Sequence, residues 1–251
     1  MGMDMKRTFN ANLIKWIAIL AMTADHVGWV LFPGYQYGAV PILLHTIGRI
    51  TCPIMCYFVA EGYHHTKNIN RYTQRLFLFS FISHFAYVFF SANYVDWKSF
   101  IPFYYGGVLD QTSVMWSLAW GLVMLRIANS TKWKNSLKYG LILGICIVTF
   151  FADWSCIAAL CILAIGTNRG NFKRQMLWMI FYVALYATVY FFALDKGYGL
   201  LQMAVVLAIP VLATYNGKRG RNQKINAIMK YIFYLYYPLH LFVLGWIQAA
   251  W

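Results

Sequence analysis

Acidic residues are scarce in this chain, with seven Asp/Glu against 21 Lys/Arg in 251 residues, and charge of either sign makes up only 11%. A soluble domain is about 25% charged and about 45–50% apolar, whereas 61% of this chain is apolar. That shortage excludes an ordinary solvated surface and points to a polytopic membrane protein. Cysteine is nearly absent as a framework. The five, Cys52, Cys56, Cys146, Cys156 and Cys161, show neither metal-ligand nor secreted-disulfide spacing, so they read as small packing residues and no metal is expected. No Pro/Ser-rich or charged linker divides the chain, so residues 1–251 read as one domain. A Gly-rich phosphate loop, a zincin motif and a G-x-S-x-G elbow are all missing, which argues against a nucleotide hydrolase and the common hydrolase classes. The first apolar run lacks a small-residue cleavage site and is polar at its centre, so it reads as a span and not a signal peptide.

What is present is a series of apolar runs. A bilayer needs about 20 apolar residues per helix, and by that rule spans are expected near 13–33, 41–62, 72–92, 111–128, 137–151, 154–167, 174–193, 199–214 and 230–250. The fold class is therefore all-α, a transmembrane helical bundle of about nine spans. The net charge of +14 comes mostly from short loops, the N-terminal arm and helix ends. Eighteen of the 21 Lys/Arg fall on one side, Lys98 and Lys196 on the other, and Arg49 inside a span. By the positive-inside rule the N-terminus is expected in the cytoplasm and the C-terminus outside. This loop-bound distribution, without an aromatic-basic sheet pattern, argues against nucleic acid as a partner and for the lipid bilayer.

Ionisable groups inside such spans are costly and mark function by default. Asp25 and His26 interrupt the first run. At 1.5 Å per residue they lie roughly 3–5 Å to the outer side of the midplane, with Arg49 about 3–4 Å, His84 about 3 Å and His240 within about 2 Å of it. Five ionisable side chains from four spans thus share one layer. Two alternatives stand beside a functional cluster: Asp25–Arg49 as a structural ion pair, and His84 or His240 as interhelical hydrogen-bonding residues. Pro53 deprives the Arg49 carbonyl of its helical donor and predicts a break beside this layer.

On the cytoplasmic side, Glu61, His64, His65, Lys67, Arg71 and Arg75 flank one turn. They read either as topology signals or as a mouth for an anionic ligand such as a nucleotide or coenzyme A phosphate. On the outer side Asp110, Gln111, Thr112, Ser113, Asp153 and Trp154 gather at span ends.

Five stretches, "KWIAILAMTADHVGWVLF", "IGRITCPIMCYFVAEGYHHT", "RLFLFSFISHFAYVFF", "ADWSCIAALCIL" and "YLYYPLHLFVLGW", together resemble the TraX family of conjugal-transfer membrane proteins. That family is associated with N-terminal acetylation of pilin and resembles wider transmembrane acyltransferases. The resemblance covers most of the chain and rests on D-H in span one, G-R-x-x-x-P in span two and a late H-L. It implies a bacterial inner-membrane acetyltransferase using cytoplasmic acetyl-CoA, with the amine of a pilin-like or other exported peptide as acceptor. On that footing Asp25, His26, Arg49 and His240 are the expected catalytic residues. His26 acts as general base oriented by Asp25, with His240 as the competing base. Glu61, His65, Lys67, Arg71 and Arg75 are expected to hold the donor, and His84, Asp153 and Trp154 the acceptor. The rival readings are O-acetylation of an envelope glycan or lipid, and a proton-coupled transporter or flippase.

Overall fold

The computed structural model describes residues 8–92 and 112–250. The expected polar positions Asp110 and Gln111 lie outside them. Among the described residues the chain is all-helical, with two isolated bridges, Phe9 to Tyr215 and Thr112 to Ala152, and no strand.

Helix α1 (Ala11–Leu31) begins where the Asn10 side chain accepts from the Leu13 N–H at 3.0 Å. It ends ahead of Pro33 and Gly34, whose φ of 80° suits only glycine well. The second expected span is broken in two, α2 (Ala39–Gly48) and α3 (Thr51–His65). The interruption falls at Arg49–Ile50, where Pro53 leaves the helix one donor short. The remaining helices are α4 (Ile69–Ala92), α5 (Val114–Ala128), α6 (Asn135–Thr149), α7 (Ser155–Thr167), α8 (Phe172–Ala193), α9 (Lys196–Leu201), α10 (Ala208–Ala213) and α11 (Gln223–Ala250). A 3-10 turn, Gln202–Leu207, joins α9 to α10.

Among the described residues, five stretches are long and apolar enough to cross a membrane: Ala11–Leu31, Ala39–His65, Phe172–Ala193, Lys196–Ala213 and Gln223–Ala250. Helices α5, α6 and α7 are apolar but only 15, 15 and 13 residues long. Their apolar side chains still stand outward. Leu143 is 64% exposed and Phe192, on α8, 81%, an arrangement that suits lipid and not water.

The residues group into two compact units, each drawing on two stretches of chain. The first takes Met1–Met55 and Val183–Tyr236, the second Cys56–Tyr182 and Tyr237–Trp251. In the first, α2 packs on α1, on α9 and on the 3-10 turn. The buried stripe of α1 runs Ala11, Ile14, Ala18, Met22, Asp25, Gly28, and that of α2 runs Pro41, His45, Gly48. These are helical spacings. In the second unit α5 is buried on most sides and packs against α4, α6 and α7. Met124, Ile127, Ile145 and Ala159 form a core cluster there.

Candidate active site

Asp25 continues the apolar stripe of α1 into the first unit, so its carboxylate needs polar partners. Both oxygens have one. Oδ2 accepts from Arg49 Nη2 at 2.6 Å, and Oδ1 lies 2.7 Å from His45 Nδ1. His45 and Arg49 are four residues apart and so share one face of the broken helix. Arg49 Nη1 donates to Gln202 Oε1 at 3.0 Å, which ties the group to the 3-10 turn after α9. All four side chains are buried, His45 completely at 0% exposure.

Close approach of the backbone makes this possible. A Cβ on Gly48 would overlap Cβ and Cγ of Asp25. Gly48→Ala is therefore expected to push the carboxylate off its partners. Overpacking of this kind costs about 1–3 kcal/mol, read as a lower thermal midpoint of the detergent-solubilised protein. An unchanged midpoint would show that the two helices have slack at this crossing.

The geometry assigns the imidazole proton. A carboxylate held by a guanidinium is an acceptor, so the neutral ring carries its proton on Nδ1 and its lone pair on Nε2. His45 Nε2 is buried and has no hydrogen-bond partner among the described residues. Trp29 and Tyr198 flank the ring, with centroids 4.5 and 5.4 Å away. An oriented imidazole with one free nitrogen in a water-poor site is the arrangement of a general base.

Asp25 and Arg49 thus meet, as their shared depth suggested. His26 is the next residue on α1, about 100° further round the helix, half-buried and off the stripe that carries Asp25. His84 and His240 belong to the second unit. His84 Nδ1 pairs with Thr112 Oγ1 at 3.0 Å, and the Thr112 carbonyl accepts from the Asp153 N–H at 2.8 Å. Of the residues expected to hold an acceptor, the His84 ring and the Asp153 backbone thus both meet Thr112. Trp154 and Ser155 follow with φ of 62° and 48°. A left-handed non-glycine residue costs about 1–3 kcal/mol and clusters at functional sites. His240 is buried beside the Tyr237 ring, centroids 5.7 Å apart.

The basic end of the second unit is partly self-neutralised. Glu61 meets His65 at 3.2 Å and Arg169 at 3.5 Å. Lys67 and Arg71 are exposed. Arg75 lies over the Tyr72 ring at 5.7 Å, and its Nε is buried without a partner among the described residues.

His45, Gln202 and Arg169 were not among the expected site residues. The signal for His45 was its place on the buried stripe of α2, four residues before Arg49. Depth arithmetic hid it, because it lies six residues from the expected span centre, about 9 Å.

Comparison with known proteins follows the same extent. Residues 10–248 match the family model described as TraX protein. The chain is 28% identical over 244 residues to the probable fimbrial assembly protein FimC, serogroup H1, of Dichelobacter nodosus, covering 94% of each chain. It is 25% identical over 136 residues to an uncharacterized protein of Rickettsia prowazekii (strain Madrid E), covering 47% of this chain and 50% of that one. No solved structure matches. With nearly its whole length inside the family model, this membrane chain belongs to the TraX family.

Proposed function

We propose that the protein is a membrane-embedded acetyltransferase that moves an acetyl group from acetyl-CoA to an acceptor amine. The observation that carries this reading is the buried His45, fixed by Asp25 through Nδ1 and without a hydrogen-bond partner at Nε2 among the described residues. The acceptor nitrogen attacks the thioester carbonyl, the C–N bond forms and the C–S bond breaks. Nε2 takes the proton the nitrogen loses and returns it to the departing thiolate. Arg49 holds Asp25 in place.

The donor's phosphates need cations, and Lys67, Arg71 and Arg75 are the residues we assign to them. Charge reversal at Arg71 and Arg75 should weaken acetyl-CoA binding at least tenfold in a titration. Unchanged affinity would reduce both to topology signals. A relative described as a fimbrial assembly protein makes an exported, pilin-type peptide the favoured acceptor. The bacterial cytoplasmic membrane, with the N-terminus inside and the C-terminus outside, is the setting this requires.

The test is incubation of the purified chain with labelled acetyl-CoA and peptides offering either a free amine or only hydroxyls. Label on the amine supports the reading, and label on the hydroxyl alone moves it to O-acetylation. Absence of transfer to both, with proton-linked transport in liposomes, would replace it with the transporter.

A further inference from the structure

The first unit carries a run of aromatic rings that the reaction above does not use. It begins at the buried His45 and ends on exposed loops. Trp29 touches His45, with centroids 4.5 Å apart, and Tyr198 at 5.8 Å. Tyr198 is followed by Tyr35 at 4.9 Å and Tyr37 at 6.1 Å. Tyr35 is 40% exposed and Tyr37 60%. Both sit on the loop between α1 and α2, on the side expected to face outward. The hydroxyls are arranged and not loose: Tyr198 donates to the Gln36 carbonyl at 3.0 Å, and Tyr35 pairs with Tyr190 at 3.0 Å.

An acid stands at the open end. Asp195 Oδ1 accepts from the Tyr37 hydroxyl at 2.5 Å and from the Tyr198 N–H at 2.8 Å. The Tyr198 backbone N–H, and after it the Tyr37 hydroxyl, hold the Asp195 carboxyl below the usual carboxylate range, so it is charged at neutral pH. The same hydrogen bond pushes the Tyr37 phenol up, so it stays protonated. In a chain with three times as many basic as acidic residues, a carboxylate here is conspicuous. Residues 32–39 carry no charge, and the basic neighbour, Lys196, is exposed.

Ring faces are electron-rich, and a group of them beside a carboxylate is the chemistry that recognises an organic ammonium. We propose that Tyr35, Tyr37, Trp29 and Tyr198, with Asp195, form the binding site of the acceptor's ammonium group, which enters from the outer side toward His45. The inference rests on the acyl-transfer reading for its purpose, but ammonium binding itself needs neither donor nor turnover. Asp195 attracts the charged amine and the rings shed its water; the ammonium releases one proton to the outer solvent before attack, and His45 Nε2 takes the second as the C–N bond forms.

The experiment is calorimetric titration of the full chain in detergent with tetraalanine amide bearing a free amino terminus, and with its N-acetylated twin. Asp195→Asn is the decisive variant, because asparagine caps α9 as well as aspartate does and removes only the charge. The free-amine peptide should bind at least tenfold more tightly than its acetylated twin. Asp195→Asn should erase that difference, and Tyr35→Leu should reduce it several-fold, with acetyl-CoA binding unchanged in both. Equal binding of the twins to the native protein, or full discrimination in Asp195→Asn, would overturn the proposal and make the rings a structural plug. Ammonium binding without any acetyl transfer would leave this site standing and sink the acyltransferase reading. Acetyl transfer with an unaltered acceptor KM in Asp195→Asn would do the reverse.

Discussion

His45→Ala should lower acetyl transfer by about 10²–10⁴-fold, the usual worth of a positioned general base, while leaving the membrane-inserted protein in place. The expectation follows from what the ring touches. Nδ1 is committed to Asp25, so the side chain has one nitrogen to offer, and that nitrogen is unsatisfied and buried. A histidine kept only for packing would be surrounded by partners on both nitrogens or exposed on one. The matching control is His26→Ala. His26 neighbours Asp25 in sequence but lies off the buried stripe of α1, so its loss should cost less than tenfold. Initial rates of CoA release, measured on both variants at equal expression, separate the two histidines. The opposite ranking would return the role of base to His26.

Asp25→Ala should be the most destabilising single change in the first unit. Removing one member of a buried ion pair leaves the other charge uncompensated, at about 3–5 kcal/mol, and an Arg near the centre of a span is itself costly by about 2.5–3.5 kcal/mol on insertion scales. Arg49 would retain Gln202 as a hydrogen-bond partner, which offers no opposite charge. The thermal midpoint in detergent should fall sharply, and the variant should be inactive. Activity alone does not distinguish a catalytic pair from a structural one, so the double change Asp25→Leu with Arg49→Met is the informative companion. Replacing both charges by apolar groups of similar volume is often neutral or stabilising. The double variant should regain most of the lost stability and none of the activity. A stable, active double variant would mean that the pair only holds α1 to α2.

Much of this is legible in the sequence. Apolar runs located the helices, because a chain in lipid must satisfy its backbone internally. Pro53 located the break at Arg49–Ile50, and opposite charges at one depth located the Asp25–Arg49 contact. Rotation about the helix axis was harder to read than depth along it. Asp25 and His26 share a depth but lie about 100° apart around α1, and His45 differs in depth from Asp25 yet touches it. A side chain several ångströms long reaches across that offset when Gly48 lets the backbones close. The left-handed turn at Trp154–Ser155 had no signal either, since neither residue is a glycine. Helices α6 and α7, 15 and 13 residues long, follow apolar runs that are already short in the sequence, 137–151 and 154–167.

The most direct measurement is mass spectrometry of a free-amine peptide after incubation with isotopically labelled acetyl-CoA and the reconstituted full chain, native and His45→Ala side by side. The account predicts labelled acetyl on the peptide nitrogen with the native protein and a loss of at least a hundredfold with His45→Ala. Equal labelling by the two proteins, or none by the native one with any amine offered, would contradict it.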